Sequence, residues 1–205
     1  MHRSDQTGPQ GTTPVKLDII LAGVGGQGVL SVSAVIAGAT ARLGWQVKQS
    51  EVHGMAQRGG AVLAHLRMAD RPVHSDLIPR GTADLILSLE PMESLRYLEY
   101  LSPTGTIATA VEPVTNIDDY PDLDAVLDAV RATRSSILVE AAKLAKQAGN
   151  VKTANVVMVG AVAHLLPVTD EDLTSEIATA FGRLGEKVLE ANLAAFRLGS
   201  STVLA

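Results

Sequence analysis

The stretch from Leu17 to Leu30, LDIILAGVGGQGVL, decides how this chain is expected to fold. Its first part, residues 17–22, consists mainly of Ile, Leu and Ala, which is typical of a strand buried on both faces. A glycine-rich segment follows at 23–28, and residues 29–43 then predict an apolar helix. Because a second strand is predicted at 45–49, the succession of strand, glycine turn, helix and strand indicates an α/β unit with a right-handed crossover.

The regular alternation of strands and helices is lost after this unit. A loop is predicted at Glu51–Gly60, then a strand at 61–68, a turn at 70–72 and the start of a return strand at 73–74, so this part of the sheet is expected to be antiparallel or mixed. The remaining predicted elements are a strand at 84–89, a helix at 91–101, a turn at 102–105, a strand at 106–110, and helices at 124–131, 137–148, 155–166, 173–181 and 183–197.

These elements predict an α/β fold class: a Rossmann-like mixed sheet with flanking helices and a helical C-terminal third. Residues 1–16 are mostly polar, and we expect them to form a disordered N-terminal lead. Residues 17–200 show no internal repeat and no linker, so they predict a single domain.

The composition of the 205 residues excludes several functions. The chain has no Cys, so it cannot form a disulfide, a cysteine-ligated iron–sulfur cluster or a cysteine nucleophile by itself. A net charge of −5 and an aromatic content of 3% argue against a nucleic-acid partner. No membrane span is expected, because the longest apolar run, at 156–168, is shorter than the roughly 20 residues required. The N-terminus lacks a signal-peptide core, and we expect a cytoplasmic protein.

The glycine segment matches the dinucleotide-binding fingerprint Gly23-x-Gly25-x-x-Gly28, between a strand and a helix. Glycine permits positive φ angles and lets backbone N–H groups approach a phosphate at the positive end of the helix. Glu51 follows Gly28 by 23 residues, close to where a ribose-binding carboxylate would stand. The glycines alone do not distinguish NAD, CoA or a tight turn without ligand.

The loop 51–60, EVHGMAQRGG, concentrates polar groups between glycines. Arg58 is suited to a phosphate or carboxylate, His53 to proton exchange or donation to an anion, and Gln57 to orienting either. The alternative is a loop that orders itself or binds a partner protein, with Arg58 paired to Glu51 or Glu90.

Other candidates are less specific. The histidines have no metal-ligand spacing, so no metal site is expected. His65 is expected to face outward or to be satisfied by a hydrogen bond, and His164 to lie in the core or an interface. Glu90 is a candidate site carboxylate, whereas Glu93 fits the electrostatics of a helix start. The chain has neither a nucleophile elbow nor a Walker loop.

Three segments carry a resemblance to a known family: AGVGGQGVL at 22–30, SEVHGMAQRGG at 50–60 and EPMESLR at 90–96. In order and spacing they resemble the γ-type domain of 2-oxoacid:ferredoxin oxidoreductases, and within that family the small β subunit of the indolepyruvate branch. The resemblance runs from about Leu17 to Leu198. The segment 51–60 distinguishes the indolepyruvate branch from the pyruvate and 2-oxoglutarate members, because those members have a different sequence before the shared Arg-Gly-Gly.

The resemblance implies a reaction in which a 2-oxoacid loses CO₂ on thiamine diphosphate, electrons pass through iron–sulfur clusters to ferredoxin, and CoA takes the acyl group. It implies that thiamine diphosphate and the clusters lie on a large partner subunit, since this chain has no Cys and no Gly-Asp-Gly thiamine motif. No catalytic residue is assigned to this chain. The residues expected to hold CoA or shape the substrate side are those of the glycine turn and the loop: Gly23, Gly25, Gly26, Gln27, Gly28, His53, Gln57 and Arg58.

Two alternatives remain open from the sequence. One is an independent NAD(P)-dependent oxidoreductase that uses the glycine turn and Glu51. The other is a purely structural interaction subunit.

Overall fold

The part of the chain that the structure describes contains one sheet of six strands. A computed structural model describes residues 15–53, 59–115 and 119–202. The strands are β1 (Lys16–Val24), β2 (Gln46–His53), β3 (Ala61–Ala69), β4 (Ala83–Ser88), β5 (Leu101–Ala110) and β6 (Ser136–Val139). Their order in the sheet is β2-β3-β1-β4-β5-β6.

The sheet is mixed. Strands β1, β4, β5 and β6 are parallel, whereas β3 pairs antiparallel with β1 on one side and with β2 on the other. Strand β3 therefore separates β2 from β1, which a Rossmann unit would place side by side. The predicted fold class is confirmed, including its antiparallel part.

Seven α-helices cover the two faces of the sheet within the described residues. They are α1 (Val29–Arg42), α2 (Pro91–Arg96), α3 (Leu123–Arg131), α4 (Ala141–Gln147), α5 (Ala154–Val162), α6 (Asp170–Phe181) and α7 (Glu186–Thr202). Buried residues of α1 and α4–α7 form the larger core with one face of the sheet. The smaller core on the other face contains Val130 of α3, and Leu95 of α2 packs against it.

The C-terminal helices pack closely because two glycines let their backbones touch. A Cβ on Gly160 of α5 would lie 2.1 Å from the carbonyl oxygen of Phe196, and a Cβ on Gly199 of α7 would lie 2.0 Å from that of Val157. No side chain fits in these gaps, since such separations are far shorter than van der Waals contact. Helix α5 also packs against α1 and against strands β5 and β6.

Several local predictions are wrong. Residues 137–139 belong to β6 rather than to a helix. The prediction failed because a short apolar run has the same pattern in a buried strand and in a helical turn. The segment 102–105 lies inside β5 rather than in a turn, and α2 ends at Arg96 instead of continuing to 101. Residues 73–74 form no strand, while Glu51 extends β2 by pairing with Ala64.

None of the helices in the described segments combines the length and apolarity that crossing a bilayer requires.

Candidate functional site

The glycine turn lies at the carboxyl ends of the parallel strands, where the chain leaves β1 and β4 towards opposite faces of the sheet. Strand β1 continues into α1 on one face, and its parallel neighbour β4 continues into α2 on the other face. Ligands of open α/β sheets bind in the crevice that such a change of side creates. The fold therefore places the predicted glycine segment at the expected position for a site.

The first two glycines of the fingerprint have packing and bonding roles. A Cβ on Gly23 would lie 2.9 Å from Cγ2 of Val29, so a larger residue would separate β1 from α1. The N–H of Gly25 donates to the carbonyl of Gly60 at 2.8 Å, and its carbonyl accepts from the N–H of Gly59 at 3.4 Å. These two bonds fix the end of the loop 51–60 beside the turn.

Gln27 uses its side chain to close the turn. Its Oε1 accepts from the N–H of Val24 at 2.7 Å, and its Nε2 donates to the carbonyl of Leu89 at 2.7 Å. The amide therefore ties the end of β1 to the segment that follows β4. Both polar atoms of the Gln27 side chain thus bind the protein, and Gln27 also lines the cavity beside the turn. Its contact with a ligand stays a prediction.

Gly26 and Gly28 require glycine for their backbone. Their φ angles are +102° and +87°, which lie in the region that residues with a Cβ rarely adopt. A Cβ on Gly28 would in addition lie 2.6 Å from Nδ2 of Asn155, at the start of α5. The turn thus brings the N-terminus of α1 into contact with a residue far away in sequence.

A cavity of about 460 Å³ opens beside this turn. It runs along the carboxyl ends of the parallel strands, past Leu89 and Ala110, to Lys152, Asn155 and Met158. Its size falls within the range of small-molecule sites. Lys152 and Asn155 were not singled out in the sequence, because nothing in their local pattern indicates that α5 packs against a turn more than 120 residues earlier.

Glu90 occupies the opposite side of the same edge. The residue is 1% exposed. Its carboxylate accepts from the N–H of Glu93 at 2.8 Å, the hydroxyl of Tyr120 at 2.5 Å and, more weakly, the N–H of Val114 at 3.4 Å. It therefore acts as the N-cap of α2 and anchors the segment after β5. It also lines a smaller cavity of about 180 Å³, together with Gly59 and Arg96.

The titratable groups around Glu90 are perturbed by burial. Burial is the main cause that raises the pKa of Glu93, opposed by hydrogen bonds from Nε of Arg96 at 3.0 and 3.1 Å. Burial, followed by the hydrogen bond to Glu90, raises the pKa of the Tyr120 hydroxyl strongly. Tyr120 is accordingly a fixed hydrogen-bond donor at neutral pH rather than an acid.

The three loop candidates are described only in part. His53 ends β2, opposite Val62 in register, while Gln57 and Arg58 lie outside the described residues. Gly59 and Gly60, at the end of this loop, bind Gly25 of the glycine turn.

Glu51, the candidate ribose acid, lies on an exposed edge strand that β3 separates from β1. Two strand spacings amount to roughly 10 Å. In a dinucleotide-binding unit the acid follows the strand next to β1, so this sheet order does not reproduce that arrangement.

Two histidines have clear environments. His65 is buried, and its Nδ1 accepts from the N–H of Ile78 at 3.1 Å, which confirms the expectation of a satisfied histidine. His164 is exposed rather than in the core. The described residues contain no group of three His, Asp or Glu side chains placed to hold a metal ion.

Comparison with known proteins agrees with this architecture. Residues 18–202 match the family model described as pyruvate ferredoxin/flavodoxin oxidoreductase. The chain is 36% identical to indolepyruvate oxidoreductase subunit IorB of Thermococcus kodakarensis, over 89% of this chain and 93% of that protein.

Solved structures share the fold. The gamma subunit of a keto/oxoacid ferredoxin oxidoreductase from Geobacter sulfurreducens superposes with a TM-score of 0.67 at 25% identity, covering 92% of this chain and 98% of that one. The 2-oxoglutarate:ferredoxin oxidoreductase of Magnetococcus marinus gives a TM-score of 0.73 at 23% identity; this chain, 92% of which is covered, spans 31% of its length. The chain thus belongs to the pyruvate ferredoxin/flavodoxin oxidoreductase family.

Proposed function

We propose that this chain is the small subunit of an indolepyruvate-type 2-oxoacid:ferredoxin oxidoreductase. The observation that carries the proposal is its 36% identity to a curated indolepyruvate oxidoreductase subunit over nearly the full length of both chains. The reaction converts a 2-oxoacid, CoA and oxidised ferredoxin into acyl-CoA, CO₂ and reduced ferredoxin. The preferred substrate is indolepyruvate or a related aryl 2-oxoacid.

The redox cofactors reside on a large partner subunit in this proposal. An iron–sulfur cluster does not fit this chain, because the sequence has no Cys to ligate it. When bound to the partner, thiamine diphosphate supplies the carbanion chemistry that releases CO₂. Ferredoxin meets the complex through the cluster-bearing subunit, and the complex works in the cytoplasm.

This chain contributes a buttress and part of a site. The glycine turn presents backbone N–H groups at the positive end of α1, which is suited to the phosphates of CoA. Gly25 holds the end of the loop, at Gly59 and Gly60, beside that turn. His53, Gln57 and Arg58 are the loop residues that we assign to CoA or to the substrate side in this proposal. The fold neighbour from Magnetococcus marinus was determined with coenzyme A bound, which is consistent with this proposal.

The independent NAD(P)-dependent enzyme is the less favoured alternative. Its ribose-binding acid would be Glu51 on β2. Because β3 lies between β2 and β1, Glu51 is not on the strand next to β1, where such an enzyme would need it. A purely structural subunit is the second alternative, and the cavity beside the turn argues against it.

Substrate preference tests the proposal. The chain would be co-expressed with its thiamine- and cluster-bearing partner, and ferredoxin reduction measured with indolepyruvate, pyruvate or 2-oxoglutarate in the presence of CoA. We expect the highest kcat/KM with indolepyruvate. A complex that prefers pyruvate or 2-oxoglutarate would contradict the branch assigned, and CoA-independent NAD reduction would contradict the reaction itself.

A further inference from the structure

Residues 70–82 join β3 to β4 at the end of the sheet away from the glycine turn, and this segment is called the β3–β4 connection below. It contains neither a helix nor a strand, and most of its residues are exposed. Ile78, in contrast, is 2% exposed and belongs to the smaller core. The position of this irregular segment on the core therefore depends on contacts with neighbouring elements.

Two cationic side chains bind the connection through its backbone carbonyls. Nη1 of Arg67 donates to the carbonyls of Ser75 at 3.2 Å and Leu77 at 3.0 Å. Nζ of Lys48 donates to the carbonyl of His74 at 3.4 Å. Guanidinium and ammonium groups keep their protons at neutral and mildly acidic pH, and a carbonyl does not titrate, so these bonds do not respond to pH in that range.

His65 of β3 binds the connection through an atom that a proton would block. Its Nδ1 accepts from the N–H of Ile78 at 3.1 Å, so this nitrogen carries no proton and the ring is neutral. His65 is 4% exposed, and its ring packs edge-on against Tyr100 with the centroids 5.3 Å apart. Because a protonated imidazole donates from both nitrogens, a proton on Nδ1 would face the N–H of Ile78 instead of accepting from it.

The surroundings of the ring favour its neutral form while the connection is in place. Burial is the main cause that lowers the pKa of His65; Asp76 of the connection raises this pKa, and Arg67 lowers it. The charge of Arg67 is paired with Asp18 of β1 at 2.9 Å. Tyr100 faces the ring, and the residues opposite His65 on β1 and β2 carry no charge. Opening of the connection would expose the ring to water and remove the burial that disfavours its charge.

We propose that His65 is a pH-sensitive switch: its neutral ring holds the β3–β4 connection on the smaller core, and a proton taken from solvent at Nδ1 breaks the bond to Ile78 and opens the connection there. In the open form, Ile78 leaves the smaller core and the side chains beneath it become accessible to water. The bonds from Arg67 and Lys48 keep the rest of the connection near the sheet, so the change is local. The switch does not depend on the proposed function, since it involves neither the glycine turn nor the loop 51–60.

Hydrogen exchange of the Ile78 amide, followed by NMR on the isotope-labelled full chain, measures how often the connection opens. A ring that is protonated only in the open form, and that titrates there with the ordinary pKa of about 6.5, makes opening about tenfold more favourable at about pH 5.5 than at about pH 7.5. We therefore expect the protection factor of the Ile78 amide, corrected for the intrinsic exchange rate, to fall about tenfold over this range.

Three variants separate the proton on His65 from other effects of acid. His65→Asn places an amide oxygen near the position of Nδ1 and does not titrate, so its protection factor at Ile78 should change by less than about twofold over the same range. His65→Leu removes the acceptor and should leave the Ile78 amide poorly protected at both pH values. His74→Asn is the matched control, because His74 is an exposed histidine of the same connection, and it is its carbonyl that binds Lys48; this variant should behave like wild type.

A fall in protection in wild type and in His74→Asn, without one in His65→Asn, supports the switch. An equal fall in His65→Asn, or a wild-type protection factor that does not change with pH, overturns it. If the His65 variants fail to fold, the NMR titration of wild type decides: the ring signals of His65 and the amide signal of Ile78 should change with the same midpoint. An Ile78 amide that does not respond while the His65 ring titrates would overturn the switch.

Discussion

Replacing Gln27 separates a residue that closes the glycine turn from one that binds a ligand. Gln27→Met keeps the length of the side chain and removes both polar atoms. It leaves the N–H of Val24 and the carbonyl of Leu89 without the partners that each now has at 2.7 Å. A buried polar group that loses its partner costs about 1–3 kcal/mol, and because this site is only partly buried the two losses should sum to about 2–3 kcal/mol.

Equilibrium unfolding of the full chain in urea measures this loss. With a denaturant dependence of roughly 2 kcal/mol per molar, the midpoint should fall by about 1 M. Gln49→Met is the matched control: Gln49 is exposed on β2 and makes one long hydrogen bond to Glu51 at 3.5 Å, so its free energy of unfolding should change by less than about 0.5 kcal/mol. A Gln27→Met variant as stable as wild type that no longer binds CoA would refute the structural role and assign Gln27 to the ligand.

Three further substitutions test the packing and electrostatics. Gly199→Ala should destabilise the chain by about 2 kcal/mol or more in the same unfolding assay, because its Cβ would overlap the carbonyl of Val157, whereas Gly182→Ala, with open space around it, should be neutral or slightly stabilising. Arg67→Met should lower the free energy of unfolding by about 3 kcal/mol, because it leaves the Asp18 carboxylate with Lys16 as its one ion-pair partner among the described residues, and the Asp18 side chain is only 3% exposed. A loss below about 1 kcal/mol would refute this reasoning. Burial raises the pKa of Glu93, so wild type should lose stability relative to Glu93→Gln as the pH rises through that pKa, and a pH-independent difference between the two would contradict it.

Local sequence was sufficient to predict the glycine turn and its neighbours. The strand before Gly23 and the helix after Gly28 are set by short-range patterns, which tertiary packing does not alter here. The antiparallel part of the sheet was also predictable, since the alternation of strands and helices stops after Glu51.

Long-range partners were not predictable. The role of Gln27 depends on Leu89, 62 residues away, and Asn155 reaches Gly28 only because α5 packs against the carboxyl edge of the sheet. The prediction for β6 failed for a related reason: four apolar or small residues carry too little periodicity to distinguish a strand from a helix.

The central claim is that a cysteine-free chain completes a redox enzyme whose cofactors lie on another subunit. Its most direct test is to titrate the purified partner with increasing amounts of this chain and to measure CoA-dependent reduction of ferredoxin by indolepyruvate. We expect negligible turnover from either subunit alone, and activity that rises with added chain until it saturates at a fixed molar ratio. Full turnover by the partner without this chain, or by this chain without the partner, would contradict the account.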